Sequence, residues 1–435
     1  MRGRNARLVR SPFGIADTGV RRIDAQPHEA KIPWTVEHNS LAIRIGSSPH
    51  RELSTKDSTI FGPPWMLNRI QGDFSPIVFP LTGKRVWIAG HRGMVGSALV
   101  RRLAREPCEL LTVDHDALDL RRQSDVEDWL AHNCPDAVFI AAATVGGILA
   151  NSTRPAEFVY DNLAIAVNII HGAARAKVSK LINLGAACIY PRLAAQPMSE
   201  DSLLTGPPEP TNENYTIAKI AAIKLCQAYR RQYKCDFASV VPANLYGPGD
   251  NFEPEQGHVV PGLIRRSHEA KSTNAPELTI WGSGNALREF MHVDDCADAL
   301  VFLLRTYSGD DIVNVGTGFE ISIAELAKKI SAVVGYGGRL VFDQTKPDGM
   351  HRKILDSSRV RAMGWHPRLG FEDGLRETYN GIFASSQRAF DPRLRKESAD
   401  KHELSHCYDG RRRCCRPTGD LECSYGAFPR FAVSP

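Results

Sequence analysis

The chain has 435 residues, of which 43% are hydrophobic and 24% charged, a globular balance long enough for one large or two ordinary cores. No run of 18 apolar residues occurs and the N-terminus lacks an apolar secretory stretch, so a cytoplasmic protein without a membrane partner is expected. The net charge of +5 is small, and basic residues gather at the ends (Arg2, Arg4, Arg7, Arg10; Arg411, Arg412, Arg413), which reads as solvated tails and not as a nucleic-acid surface.

Residues 1–83 carry no sustained helix or strand period and are interrupted by Pro12, Pro27, Pro33, Pro49, Pro63, Pro64, Pro76 and Pro80. They are expected to form an unpatterned, disordered extension. From Lys84 the texture changes. Residues 85–89 form a short apolar run, followed by a glycine turn and a helical pattern to Leu103. Strand patterns recur at 109–113, 137–142, 180–184 and 237–242, with helical stretches at 126–131, 157–176 and 218–233 between them. The alternation predicts an α/β fold over 84–245, a Rossmann-type doubly wound parallel sheet with helices on both faces.

After residue 245 the pattern loosens. An amphipathic helix over 322–334 and a strand over 339–342 predict a smaller C-terminal substrate-binding lobe, 246–387, that shares a cleft with the first domain. The remainder, 388–435, is a Cys/Arg-rich tail with no period and is expected to be disordered. Its Cys407, Cys414, Cys415 and Cys423, with His402 and His406, match no zinc spacing, so no metal is expected. Cys108, Cys134, Cys226, Cys235 and Cys296 read as small core or surface residues in a reducing compartment.

The turn after the first strand reads Gly90-His91-Arg92-Gly93-Met94-Val95-Gly96, a GxxGxxG spacing between strand and helix. Such glycines allow a tight turn, approach of a pyrophosphate and close packing of the helix, whose free N–H groups then hold the phosphates. Asp114, at the end of the second strand, suits a ribose 2′-hydroxyl and therefore NAD. Arg92, aided by His115, suits a 2′-phosphate, and the balance favours NADP(H).

Tyr215 and Lys219 form Tyr-x-x-x-Lys, which on a helix puts both side chains on one face. The lysine can lower the phenol pKa and hold a nicotinamide ribose, and the phenol can exchange a proton with a carbonyl oxygen. The pair alone is common on protein surfaces; its place downstream of a nucleotide loop makes it informative.

Together these features resemble the extended short-chain dehydrogenase/reductase family, and within it the GDP-L-fucose synthase group. The segments that carry the resemblance are AGHRGMVGSA (89–98), VGGILAN (145–151), PTNENYTIAKIA (210–221), NLYGPGDNF (244–252), HVVP (258–261), WGSGNALREFMHVDD (281–295), NVGTG (314–318) and KPDG (346–349). The resemblance implies NADP(H) as cofactor, GDP-4-keto-6-deoxy-D-mannose as substrate and a homodimer built on helices after the fourth and fifth strands. It matches Cys188 and His258 to a pair that moves protons at C3 and C5 of the sugar, Arg266 and Arg288 to diphosphate ligands, and Trp281 and Asp348 to nucleotide contacts. Asn244 matches a cofactor-side contact. On residue type alone, Cys188 is a structural cysteine and His258 a surface histidine.

Three positions depart from the family. Ala186, followed by Ala187, stands where a serine donates to the reacting carbonyl oxygen, Thr144 where a lysine is usual, and Gly257 where a polar residue precedes the histidine. Losing one such donor typically costs about 10²–10³ in rate. Two other readings therefore stay open: a different nucleotide-sugar epimerase or dehydratase of the same fold, and a protein that binds the nucleotides without turnover.

Overall fold

In the computed structural model residues 79–253, 257–346 and 348–390 are described, so the expectations for residues 1–78 and for the tail from 391, with its cysteines and histidines, lie outside the described residues. Alternate residues of β1 (Arg85–Ala89) feed two different cores. Val86 and Ile88 pack with α1 (Met94–Leu103) on one face, while Trp87 and Ala89 pack on the other. A strand buried on both faces reads as a continuous apolar run, which is why its sequence shows no polar alternation.

The chain continues through β2 (Glu109–Leu111), α2 (Gln123–Asn133), β3 (Ala137–Ile140), α3 (Ile148–Thr153), α4 (Pro155–Arg175), β4 (Lys180–Leu184), α5 (Glu213–Tyr233) and β5 (Phe237–Pro242). Both β2 and β3 stop two residues short of their apolar runs. Helix α5 begins five residues before the expected start, at Glu213, so Tyr215 sits in its first turn.

The chain goes on through β6 (Asn244–Tyr246), α6 (Val259–Ser272), β7 (Glu277–Trp281), β8 (Leu287–His292), α7 (Val293–Thr306), β9 (Val313–Val315), β10 (Glu320–Ser322), α8 (Ile323–Val334), β11 (Arg339–Asp343), β12 (Arg352–Lys353), α9 (Ser358–Ala362) and α10 (Phe371–Phe390). Helix α8 shows why the 322–334 pattern was readable. Ser322 caps it by accepting from the Glu325 N–H, Gly335 ends it at φ +76°, and Leu326, Ile330 and Val334 line one buried face. Burying each of these apolar side chains contributes about 1.5–3 kcal/mol.

The main sheet is six-stranded and parallel, ordered β2-β1-β3-β4-β5-β9. The strand order reverses beside β1, which opens a crevice at the carboxyl ends of β1 and β3. The division expected at residue 245 is not a single cut. Helix α7 packs into the β1–α1 core and β9 completes the parallel sheet, so residues 293–315 return to the first domain before the chain goes back to the lobe. The lobe has its own apolar cluster around Tyr246, Leu263, Ile280, Phe290, Leu326 and Ile330. A small sheet ordered β10-β8-β12, with β6 also on β8, and a β7–β11 pair complete it. No described helix is long and apolar enough to cross a membrane.

Candidate active site

The three glycines of the 90–96 turn do different work. A Cβ on Gly96 would lie 2.1 Å from the Gly90 carbonyl oxygen, and one on Gly90, at φ +87°, would lie 2.7 Å from the Ala142 backbone. Those two serve packing of the helix on the turn and of the turn on the end of β3. A Cβ on exposed Gly93 would meet only the Gly90 oxygen, at 3.5 Å. Packing does not explain that glycine, which leaves open space beside the turn. Gly93 is also the N-cap of α1 and offers no side-chain acceptor, which leaves first-turn N–H groups available to an anion. Met94 and Val95 are half-buried in that turn.

A cavity of about 250 Å³ opens beside this turn, lined by Gly90, Gly93, Val113, His115, Leu118 and Ala142 among others. At its rim the two competing ribose signals meet: Arg92 donates to Asp114 at 2.7 Å, and His91 Nε2 lies 3.3 Å from the same carboxylate. The opposite wall is charged. Arg121 holds Asp119 through two donors at 2.9 Å and Asp161 at 3.2 Å, and Thr144 donates to the other Asp161 oxygen at 3.0 Å. The Arg121 guanidinium pushes the Asp119 carboxyl down to about 2. Thr144 is further tied through its amide and carbonyl to Asn162. The position where a lysine was expected therefore joins a network whose cation comes from Arg121.

Past β4 the chain turns through a short 3-10 segment, Ala187–Ile189. Ile189 and Tyr190 are buried, and the Tyr190 hydroxyl donates to Asn314 Oδ1 of β9 at 2.5 Å, which fixes the turn. Cys188 is half-buried, and its carbonyl accepts from Thr216 at 3.3 Å. Of the two alanines, Ala187 packs into the core while Ala186 is half-buried. Of the two, 186 is the position with room to face a ligand. Lys219 donates to the Leu184 carbonyl at 2.9 Å, and its ammonium lies 5.7 Å from the Tyr215 ring centroid. Burial pulls the Lys219 ammonium down to about 8, and the nearby Cys188 partly opposes this. Burial pushes the Tyr215 phenol well up, and Cys188 adds to the rise. Tyr215, Lys219 and Cys188 thus share one site at the carboxyl end of β4.

From the second lobe, Arg288 of β8 and Arg266 of α6 are half-buried and bonded to carbonyl oxygens rather than carboxylates. Arg266 donates to Thr279 O at 3.0 Å and Gly262 O at 3.3 Å, and Arg288 to Leu287 O at 2.8 Å and Asp348 O at 3.3 Å. Burial lowers the pKa of both. Glu269 and Asp348 oppose that fall from a distance, and neither guanidinium has a carboxylate hydrogen bond among the described residues, so both suit an anionic ligand.

Lys353 is a third cation that sequence reasoning missed. It lies opposite Arg288 in the β12–β8 register, and burial lowers its pKa against the pull of Cys188. Its only sequence signal was its place a few residues after the KPDG segment. Trp281, 66% exposed at the end of β7, carries the Lys346 ammonium 5.7 Å above its ring. Both Asp348 oxygens already accept from Ser283, at 2.7 Å each, so that carboxylate clamps the loop beside Trp281. Asn244 donates to Glu289 O at 2.8 Å, joining β6 to β8. His258 caps α6 and stands beside Asp250, and the contacts above do not link it to the Tyr215 group.

A dinucleotide crevice, a tyrosine–lysine pair and a cluster of half-buried cations define a nucleotide-sugar enzyme of the short-chain dehydrogenase type. The chain belongs to the NAD dependent epimerase/dehydratase family, whose model matches residues 86–316. Within it the chain stands with the GDP-L-fucose synthases: it is 54% identical over 308 residues to the enzyme of Sinorhizobium fredii (strain NBRC 101917 / NGR234), covering 71% of this chain and 98% of that one. It is 51% identical over 318 residues to the GDP-L-fucose synthase of Escherichia coli K12, covering 71% and 99%. Among solved structures, a GDP-L-fucose synthetase from Naegleria fowleri bound to NADP matches with a TM-score of 0.67 at 27% identity, covering 72% of this chain and 96% of that one.

Proposed function

We propose that the chain converts GDP-4-keto-6-deoxy-D-mannose to GDP-L-fucose, by epimerisation at C3 and C5 and then reduction at C4 with NADP(H) as cofactor. The observation that carries this reading is the meeting of Tyr215, Lys219 and Cys188 with the cations Arg288 and Lys353, one polar site spanning both lobes.

Bound NADPH supplies the hydride that reaches C4. The glycine turn 90–96 holds the pyrophosphate, Arg92 faces the 2′-phosphate, and Asn244 lies on the cofactor side. Arg266, Arg288 and Lys353 hold the diphosphate of the sugar nucleotide, with Trp281 beside the base and Asp348 bracing its loop. C3 and C5 both flank the C4 ketone, so removing a proton from either gives an enolate, and Cys188 and His258 remove and return those protons. Tyr215 donates to the C4 oxygen, first stabilising the enolate and then protonating the alkoxide as hydride arrives. Lys219, as the ammonium, supports the phenol.

Four of the large exposed apolar side chains, Tyr160 and Val167 of α4 with Ile217 and Tyr233 of α5, lie on two packed helices after the third and fourth strands. We take this face as the contact between two copies in a homodimer, which shifts the expected interface one strand earlier.

Ala186 favours a second reading, binding without turnover. NADPH consumption and GDP-L-fucose formation from the keto-sugar distinguish the two. The expected result is product from the native chain, and a gain of about 10²-fold in reduction for Ala186→Ser. NADPH binding with no product from either form would overturn the enzymatic reading.

A further inference from the structure

The segment that follows β6 carries a group, Asp250, that the reaction above does not use. The Asp250 side chain is 4% exposed, although no lysine or arginine among the described residues is bonded to it. Its Oδ1 accepts the Asn251 N–H at 2.7 Å, and its Oδ2 has no hydrogen-bond partner among the described residues. A buried carboxylate oxygen without a donor is rare in folded proteins, so this carboxylate keeps acceptor capacity that the described residues do not use. Among the described residues His258 forms its ion-pair contact, with Nδ1 3.7 Å from Oδ1.

The loop is built to hold these two residues together. Gly257 donates its N–H to Glu253 O at 2.9 Å, and Asn251 Oδ1 accepts from the Glu253 N–H at 2.9 Å. A Cβ on Gly257 would come 2.6 Å from Asn251 O and 2.9 Å from Glu253 O, so a side chain there would force the loop open and part Asp250 from His258. Gly249, at φ +86°, brings the same loop against the start of α1, where its own Cβ would lie 3.5 Å from Met94 Cα. The departure at Gly257 thus has a local reason: the Asn251 and Glu253 carbonyls stand closer to it than a side chain permits.

We propose that Asp250 is a positioning residue for His258. A small rotation of the imidazole closes 3.7 Å to a hydrogen bond, as catalytic contacts commonly tighten when substrate binds. The carboxylate then accepts from Nδ1–H, which settles the tautomer and leaves Nε2 as the nitrogen that meets the sugar carbon. The role rests on His258 exchanging protons in the proposed reaction.

The test is a double-mutant cycle on the full chain, with Asp250→Asn and His258→Gln singly and together. The keto-sugar is incubated in deuterated water, and inversion and deuterium entry at C3 and C5 are followed. Asp250→Asn is expected to slow inversion by about tenfold or more, and to add nothing once His258 is already Gln. Its NADPH affinity and thermal midpoint should stay near those of the native chain. A native inversion rate in Asp250→Asn, or the same loss repeated in the His258→Gln background, would overturn the proposal, since a purely structural defect persists whatever residue 258 is. Nitrogen NMR of the His258 ring in the unmutated protein gives a measurement independent of folding in the variants. Protonation at Nδ1 is expected, and a neutral ring protonated at Nε2 would overturn the proposal. No deuterium entry with the native chain would sink the epimerase reading itself, and this inference with it.

Discussion

Two buried lysines serve the two ends of β4, and they are treated in opposite ways. Lys180, at the first residue of the strand, is 1% exposed and meets Asp236 at 2.6 Å, with the Tyr307 carbonyl as a second acceptor. Asp236 in turn binds Arg230 at 2.6 Å and Ser308 at 2.9 Å, so the charge at this end is fully answered from within the chain. Lys219, reaching the last residue of the strand from α5, is 8% exposed and among the described residues has a single carbonyl acceptor and no carboxylate. Burying an ammonium without a counterion is costly. A fold keeps such a group at the carboxyl end of a parallel sheet because that is where a ligand supplies what the protein withholds. The answered lysine is held as structure, and the unanswered one is the one the proposed chemistry uses.

That contrast can be broken at either end. The largest effect is expected from Lys219→Met, a loss of about 10²–10⁴ in the reduction rate. Its stability should be equal or higher, because an unpaired buried charge is gone. Rates and denaturant unfolding on the same preparation check both halves; a destabilised variant with normal turnover would reverse the assignment. Next is Asp236→Ala, which strands Lys180 and Arg230 and should cost about 3 kcal/mol in unfolding free energy while leaving the rate per folded molecule unchanged. Lys180→Met should cost less than Asp236→Ala, since Asp236 keeps Arg230 and Ser308.

The smallest effect is the pH response. Lys219 is an ammonium below about 8 and loses its proton as pH rises through that value, so kcat/KM for reduction should be level below it and decline above it. The expected slope is about tenfold per pH unit, and a profile flat to pH 10 would remove the ammonium from the reaction.

Much of the first domain was legible because its signals are local. The glycine turn occupies seven consecutive residues, and Tyr215 and Lys219 are one helical turn apart, so neither needed a distant partner to be seen. The helix over 322–334 was legible for the same reason, with cap, stripe and terminal glycine contiguous. What stayed hidden depends on contacts between distant segments. Lys353 sits on a two-residue strand, too short for any period, and matters only because β12 pairs with β8 beside Arg288. The expected cut at 245 failed because β9 has only three residues, and their return to the main sheet is a long-range pairing.

The amino-acid sequence by itself determined the parallel α/β architecture, the nucleotide turn and the tyrosine–lysine pair, because periodicity and short spacings follow from backbone geometry alone. Only the tertiary structure decided which charges are answered. It gave Lys180 a carboxylate and Lys219 none, let Arg121 serve the wall where Thr144 stands, and brought Asp250 to His258. Whether a buried ion has a counterion is settled by residues far apart in the chain, and the cost of leaving one without exists only once water has been excluded.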